Sequence, residues 1–322
     1  MNPESVCEAA FSRGGPYWHL YTDGDGMPIF FAEPVDFVFG ITLLGMSAAE
    51  IPRCRIVTFT LMSNHIHVIL AGSEADVRAF FSLFRARLQR YLARKKRFWP
   101  SERFEASLFR IPDLRALRSE IIYVNRNGYV VSPDCTPFSY WWSAGVYFFN
   151  PMAGLLPTAS FAELPLRERR EMCHSREADL PDHYRVLLCL PLPANRKVGP
   201  VLAAPSFCAL GDAESFFRDA HQYFRLLGRD QEAQAEVARR LGDKVFLTDD
   251  ELFGAVCALC AKEYDVSNPV LVPADRKLDL ARKMHFDYNA SNKQIQRMLR
   301  LSPAIVEDLF PSAKPILKNT RN

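Results

Sequence analysis

Residues 55–70 constrain the fold more than any other stretch. Arg55-Ile-Val-Thr-Phe-Thr-Leu-Met62 is rich in β-branched and aromatic residues, and a second apolar run reads His65-Ile-His-Val-Ile-Leu70. Two such runs joined by Ser63-Asn64 alone predict a hairpin, and so an antiparallel sheet. The second run carries His65 and His67. Alternation along a strand puts i and i+2 on one face, so both imidazoles point the same way. Two converging neutral imidazoles form half of a divalent-metal site. Two histidines packed in a sheet is the other reading of a bare His-x-His, and spacing alone does not choose between them.

The flanks extend this sheet into an α+β sandwich. Tyr17–Thr22 reads as a strand closed by the turn-rich Asp23-Gly-Asp-Gly26, and residues 35–46 read as a helix. In Pro112–Asn127, Leu114, Leu117, Ile121 and Val124 mark one buried helical face, with Gly128 as the expected C-cap. Residues 151–211 hold many prolines and no sustained period, which predicts a linker or wrapping segment. From Asp212 the pattern is helical. Ser291–Gln294 is a capping box and Ser302-Pro303 an N-cap followed by proline at the first helical position. With a helix near 275–288 they are compatible with a helix-turn-helix, although Glu307 and Asp308 are the wrong sign for an element facing phosphate.

The chain has 322 residues, 48 % of them hydrophobic, enough for one large domain or two smaller ones. No apolar run approaches the roughly 20 residues that span a bilayer, and no secretory signal is visible, so a cytoplasmic, nucleoid-associated location is expected and no membrane partner. The eight cysteines, Cys135 among them, read as reduced thiols, and Cys257-Ala-Leu-Cys260 as core packing. A net charge of +3 says little about nucleic acid, but its distribution says more. Arg85, Arg87, Arg90, Arg94, Lys95, Lys96 and Arg97 fall in one stretch without an acid, while Phe81, Phe84, Leu88 and Tyr91 recur at helical spacing. Such a helix suits a phosphate backbone; a solvated basic face is the plainer alternative.

Tyr123 and Asn127 stand at i and i+4, on one helical face. A tyrosine hydroxyl beside a divalent cation is able to attack phosphorus, and an amide oxygen is a hard ligand suited to Mg²⁺ or Mn²⁺. Tyr129 is a rival nucleophile beyond Gly128. His19, on the first strand, is within reach of the site but is expected to be structural or exposed. His174, His183, His221 and His285 lack sequence partners. Trp141 and Trp142 suit base stacking or core packing, the latter being the commoner fate.

Three stretches resemble the single-tyrosine HUH transposases, specifically the REP-associated tyrosine transposases. Tyr17-Trp-His-Leu-Tyr21 with Pro28-Ile-Phe-Phe31 is similar to that family's opening strand and "pIF" segment. Met62-Ser-Asn-His-Ile-His-Val-Ile-Leu70 resembles its HUH strand, and Tyr123-Val-Asn-Arg-Asn127 with Phe138–Ser143 its "YIHxNP" helix and "p(W/Y)SS" segment. The likeness covers residues 16–148. It implies a ferredoxin-like HUH nuclease domain over 1–150, followed by the 151–211 segment and a helical domain over 212–322. It further implies His65, His67 and Asn127 as ligands of Mg²⁺ or Mn²⁺, and Tyr123 as the nucleophile that leaves a 5′-phosphotyrosine and a 3′-OH on single-stranded or hairpin DNA. A homodimer is an expected partner state. The departure is Gly128, where the family carries proline. The alternative is a domesticated protein of this fold that binds DNA without cutting it.

Overall fold

The computed structural model describes residues 2–24, 27–97, 102–129, 136–175, 180–190, 192, 198–228, 249–288 and 290–311. Gly26, Cys135, Pro191, Pro193 and the side chain of Tyr129 lie outside them. The fold is mixed α+β with small antiparallel sheets, and the chain divides into two compact units, residues 1–130 with 134–242, and residues 131–133 with 243–322.

In the first unit, α1 (Pro3–Gly14) precedes β1 (Tyr17–Thr22), α2 (Pro34–Glu50), β2 (Arg55–Leu61), β3 (Ile66–Ala71), α3 (Glu74–Arg94), β4 (Ala106–Ile111) and α4 (Leu114–Tyr129). The four strands form an antiparallel sheet in the order β2-β3-β1-β4. Register decides which residues share a face. Phe59 pairs with Val68, Leu61 with Ile66 and Leu20 with Val68, and these belong to the core built with α2 and α3. The intervening residues, Thr60 opposite His67 and Tyr21 opposite His67, face the other way. That second face is polar, and α4 covers it: Thr60 Oγ1 donates to Val124 O at 2.6 Å and Thr58 Oγ1 to Asn125 Oδ1 at 2.5 Å.

The helix expected over 112–127 runs to Tyr129, so Gly128 lies inside its last turn and is not a C-cap. Nor is only one face of α4 buried. Every residue from Glu120 to Asn125 is buried, because later segments pack on its outer side; Asn125 Nδ2 donates to Tyr223 Oη at 3.0 Å. Those segments come from residues expected to be a linker and a separate domain. β5 (Thr158–Ser160), β6 (Arg185–Leu187) and β7 (Val201–Leu202) form a second antiparallel sheet, with α5 (Leu166–Cys173) between β5 and β6. Val186, Leu187, Val201 and Leu202, each no more than 2 % exposed, join the core of α2. Strands of two or three residues are too short to display a period between prolines, which is why the sequence reads as a linker. α6 (Leu210–Ser215) and α7 (Ala220–Gly228) also belong to this unit, whose boundary falls after residue 242 and not at 211.

The second unit holds α8 (Asp249–Glu263), α9 (Ala274–Phe286), α10 (Asn292–Leu299) and α11 (Pro303–Leu309) around its own core of Leu252, Val256, Cys260, Leu280, Met284, Ile295, Leu299 and Val306. Ser291 and Gln294 form the reciprocal capping box, and the Ser302 side chain caps α11. Arg300, in the left-handed region at φ 52, makes the turn between α10 and α11. Glu307 and Asp308 are exposed on α11. Cys257 and Cys260 are free thiols, and burial pushes the Cys260 thiol up to about 11, which keeps it protonated.

Candidate functional site

The β2–β3 turn is gripped from outside the sheet. Phe30 N and Phe31 N both donate to Ser63 O at 3.0 Å, so the Pro28–Phe31 segment clasps the turn before His65. Asn64 Nδ2 donates to Gly24 O at 2.9 Å and to Met27 O at 3.4 Å. With its amide N–H groups so used, Asn64 presents Oδ1 to His65 Nδ1 at 2.9 Å, and an acceptor there requires a proton on Nδ1. His65 therefore carries its lone pair on Nε2.

A second chain of hydrogen bonds fixes His67. His19 Nδ1 lies 2.8 Å from Glu120 Oε2, and His19 Nε2 lies 3.1 Å from His67 Nδ1; His19, Glu120 and His67 are all fully or almost fully buried. A carboxylate only accepts, so His19 Nδ1 donates; as the neutral imidazole His19 then accepts at Nε2, and His67 Nδ1 donates. His67 too is left with its lone pair on Nε2. The two rings have their centroids 5.1 Å apart. Burial lowers His65 to about 4, and burial with the neighbouring His65 and His19 holds His67 well below the ordinary histidine value, so both are neutral at pH 7. Neutral imidazoles with Nδ1 committed and Nε2 open are the form that binds metal.

Tyr123 reaches the same place from α4. Its ring centroid lies 5.4 Å from that of His67 and 6.0 Å from that of His19. Glu120, Tyr123 and Asn127 stand at i, i+3 and i+7, one face of the helix. Asn127 is partly buried, and its Nδ2 is a buried atom with no hydrogen-bond partner. Among the described residues no three His, Cys, Asp or Glu side chains group as a metal-binding set. Asn127 stands one turn beyond Tyr123 on the same face of α4, and its amide oxygen is the hard donor that the transposase resemblance assigns to the cation.

Sequence reasoning missed Glu120 and placed His19 in a structural or exposed role. The signal for Glu120 was available: an acid three residues before Tyr123 shares its face. The Phe138–Ser143 stretch buttresses the hairpin edge, with Leu61 N donating to Trp142 O at 2.9 Å and Tyr140 Oη to Leu61 O at 2.8 Å. Trp141 is buried and Trp142 stacks on Phe37 at 5.0 Å, so both pack within the protein.

The basic tract lies elsewhere. α3 covers the face of the sheet opposite α4, and much of its charge is engaged inside the chain. Lys95 and Arg97 converge on the buried Asp36, at 3.0 and 2.6 Å. Arg85 pairs with Glu105, Arg87 with Glu50, and Arg94 Nη1 donates to His174 O. Arg90 and Lys96 are exposed. These cations, expected to hold backbone phosphates, thus lie on the face of the sheet opposite the histidines.

Comparison with family models, curated proteins and solved structures finds no match to this chain.

Proposed function

We propose that the first unit is a metal-dependent single-stranded DNA endonuclease and strand transferase of the single-tyrosine HUH type. The β-α-β-β-α-β connectivity of residues 17–111, in the sheet order β2-β3-β1-β4, supports the ferredoxin-like reading of its core. The observation that carries the proposal is the placing of Tyr123 5.4 Å, ring to ring, from His67, whose own ring lies 5.1 Å from that of His65.

In this reading His65, His67 and Asn127 would hold Mg²⁺ or Mn²⁺, which when bound would supply charge neutralisation at the scissile phosphate. Tyr123 Oη attacks phosphorus and loses its proton. The bond from phosphorus to the 3′-side oxygen breaks, and that oxygen takes up a proton to become a 3′-OH. The product is a 5′-phosphotyrosine on Tyr123, and attack by another 3′-OH reverses the step. Single-stranded or hairpin DNA is the substrate.

One observation favours the alternative, a domesticated binder that does not cut: Tyr123 is only 4 % exposed, so α4 or its surroundings must yield before a phosphate reaches the hydroxyl. A denaturing gel decides. The full chain is incubated with labelled hairpin oligonucleotides from its gene's flanks and Mg²⁺ or Mn²⁺, beside Tyr123→Phe. A metal-dependent covalent adduct absent from the variant is expected; tight binding without an adduct across those substrates would favour the binder.

A further inference from the structure

We infer that Glu120 and His19 are positioning residues that act through His67: the relay Glu120–His19–His67 fixes which nitrogen of His67 carries the proton and so which one is offered to the cation. The inference rests on the metal reading above and deepens it.

The relay runs from α4 through β1 to β3. Glu120 Oε2 accepts from His19 Nδ1 at 2.8 Å, and His19 Nε2 stands 3.1 Å from His67 Nδ1. Each group is at most 1 % exposed, so water does not compete for these bonds. Direction follows from the carboxylate end. It has no proton to give in its ionised form, so His19 Nδ1 donates, and with His19 as the neutral imidazole its Nε2 accepts and the step to His67 runs in the same sense. The buried carboxylate oxygen Oε2 is satisfied by the N–H that His19 Nδ1 donates to it. His19 is diagonal to His67 across the β1–β3 ladder, since Tyr21 is opposite His67 and His19 opposite Ile69, which brings the two rings to 5.2 Å. A carboxylate behind a ligating imidazole makes that imidazole more basic and holds its plane. Here a second imidazole stands between the two and passes the effect on. The relay also ties α4, which carries Tyr123 and Asn127, to the strand that carries His67. His65 has its own separate device in Asn64. The two ligands are therefore oriented independently, one by the turn and one by the helix.

The test uses the full chain without DNA. Long-range proton–nitrogen NMR of the metal-free protein reads the protonated nitrogen of each histidine. Mn²⁺ affinity is read by the loss of the free-ion signal in electron paramagnetic resonance, for the unsubstituted chain and for His67→Ala, Glu120→Gln and His19→Phe. We expect His67 to be protonated at Nδ1 in the unsubstituted chain. His19→Phe keeps a ring in place without an acceptor, so His67 should become a mixture of tautomers. Mn²⁺ binding should weaken roughly tenfold to a hundredfold in both relay variants, the range seen for groups behind a metal ligand. Proton placement at Nε2 of His67 in the unsubstituted chain overturns the inference, as does unchanged Mn²⁺ affinity in a folded His19→Phe. The spectrum of the unsubstituted chain requires no variant, so misfolding of either cannot stand in for an answer. Absence of Mn²⁺ binding with His67 protonated at Nδ1 is a different result: it sinks the metal reading and leaves the tautomer assignment standing.

Discussion

A Cβ built on Gly24 would stand 2.8 Å from His65 Nδ1 and 3.1 Å from Asn64 Oδ1. Gly24 also supplies the carbonyl that orients Asn64. The loop after β1 is thus moulded to the His65–Asn64 hydrogen bond, and glycine is needed there for space. Gly24→Ala should displace the His65 ring and weaken Mn²⁺ binding about tenfold, the lower end for disturbing a ligand's support. Its cost in stability should be small, within about 1 kcal/mol, because the position lies in a loop. A Mn²⁺ titration beside a thermal melt checks both parts; unaltered affinity would mean that the loop does not place His65.

Gly128 is a packing glycine of the same kind. A Cβ there would lie 2.3 Å from Cδ1 and 2.8 Å from Cγ of Tyr140. The Tyr140 hydroxyl donates to Leu61 O at the end of β2, so the ring has little room to move. This accounts physically for glycine where the transposase resemblance expects proline. Alanine in a helix is ordinarily worth up to about 1 kcal/mol over glycine. At this position overpacking should outweigh that gain and destabilise by about 1–3 kcal/mol. Equilibrium denaturation measures the sign, and a stabilised Gly128→Ala would mean that Tyr140 yields freely.

Asp36 decides what the end of the basic tract does. It is fully buried and accepts from Tyr91 Oη at 2.6 Å, from Lys95 and Arg97, and from the backbone N–H groups of Ala32 and Glu33. Burial alone would raise its carboxyl, but the bonds from Tyr91, Arg97, Glu33 and Lys95 outweigh it and bring it down to about 2. Asp36→Asn should cost about 3–5 kcal/mol, as breaking a buried ion pair does. Lys95→Gln and Arg97→Gln should accordingly lower stability and leave the salt dependence of DNA binding unchanged. A reduced salt slope at unchanged stability in either variant would restore their assignment to phosphate contacts.

How much was legible follows from range. The hairpin, the clustering of His65 with His67 and the caps at Ser291 and Ser302 are set by neighbours within a few residues, and local chemistry in the sequence carries them. The His19–Glu120 bond joins residues 101 apart in the chain, and no local pattern encodes it. Helical spacing put Tyr123 and Asn127 on one face and put Glu120 there too, but an acid on a helix reads as exposed until something is seen to bury it. The ion pairs of α3 were illegible for the converse reason. Their acidic partners at 36, 50 and 105 lie outside the tract, so the sequence displays the cations without what neutralises them.

The buried histidines give the protein an acid limb above that of its carboxylates. His65 is lowered from 6.5 to about 4 and His67 well below the ordinary histidine value, each first by burial. In the unfolded chain both return to near 6.5. Between about pH 6.5 and 4 the unfolded state therefore binds protons that the folded state refuses. Stability rises with pH wherever the unfolded state holds more protons, so these two groups contribute fully above 6.5 and progressively less as pH falls through that window. Each titrating histidine changes stability by up to about 1.4 kcal/mol per pH unit there. Asp36, depressed from 3.8 to about 2, keeps its contribution across the same range and loses it only as pH falls from near 4 through 2. Denaturant titrations at pH 7, 6, 5 and 4.5 should show stability falling steadily with acid, and His67→Gln, which has nothing to titrate, should flatten the curve. A metal-free chain whose stability is level from pH 7 to 5 would show that His67 takes a proton in place, and the open Nε2 on which the site depends would then be occupied.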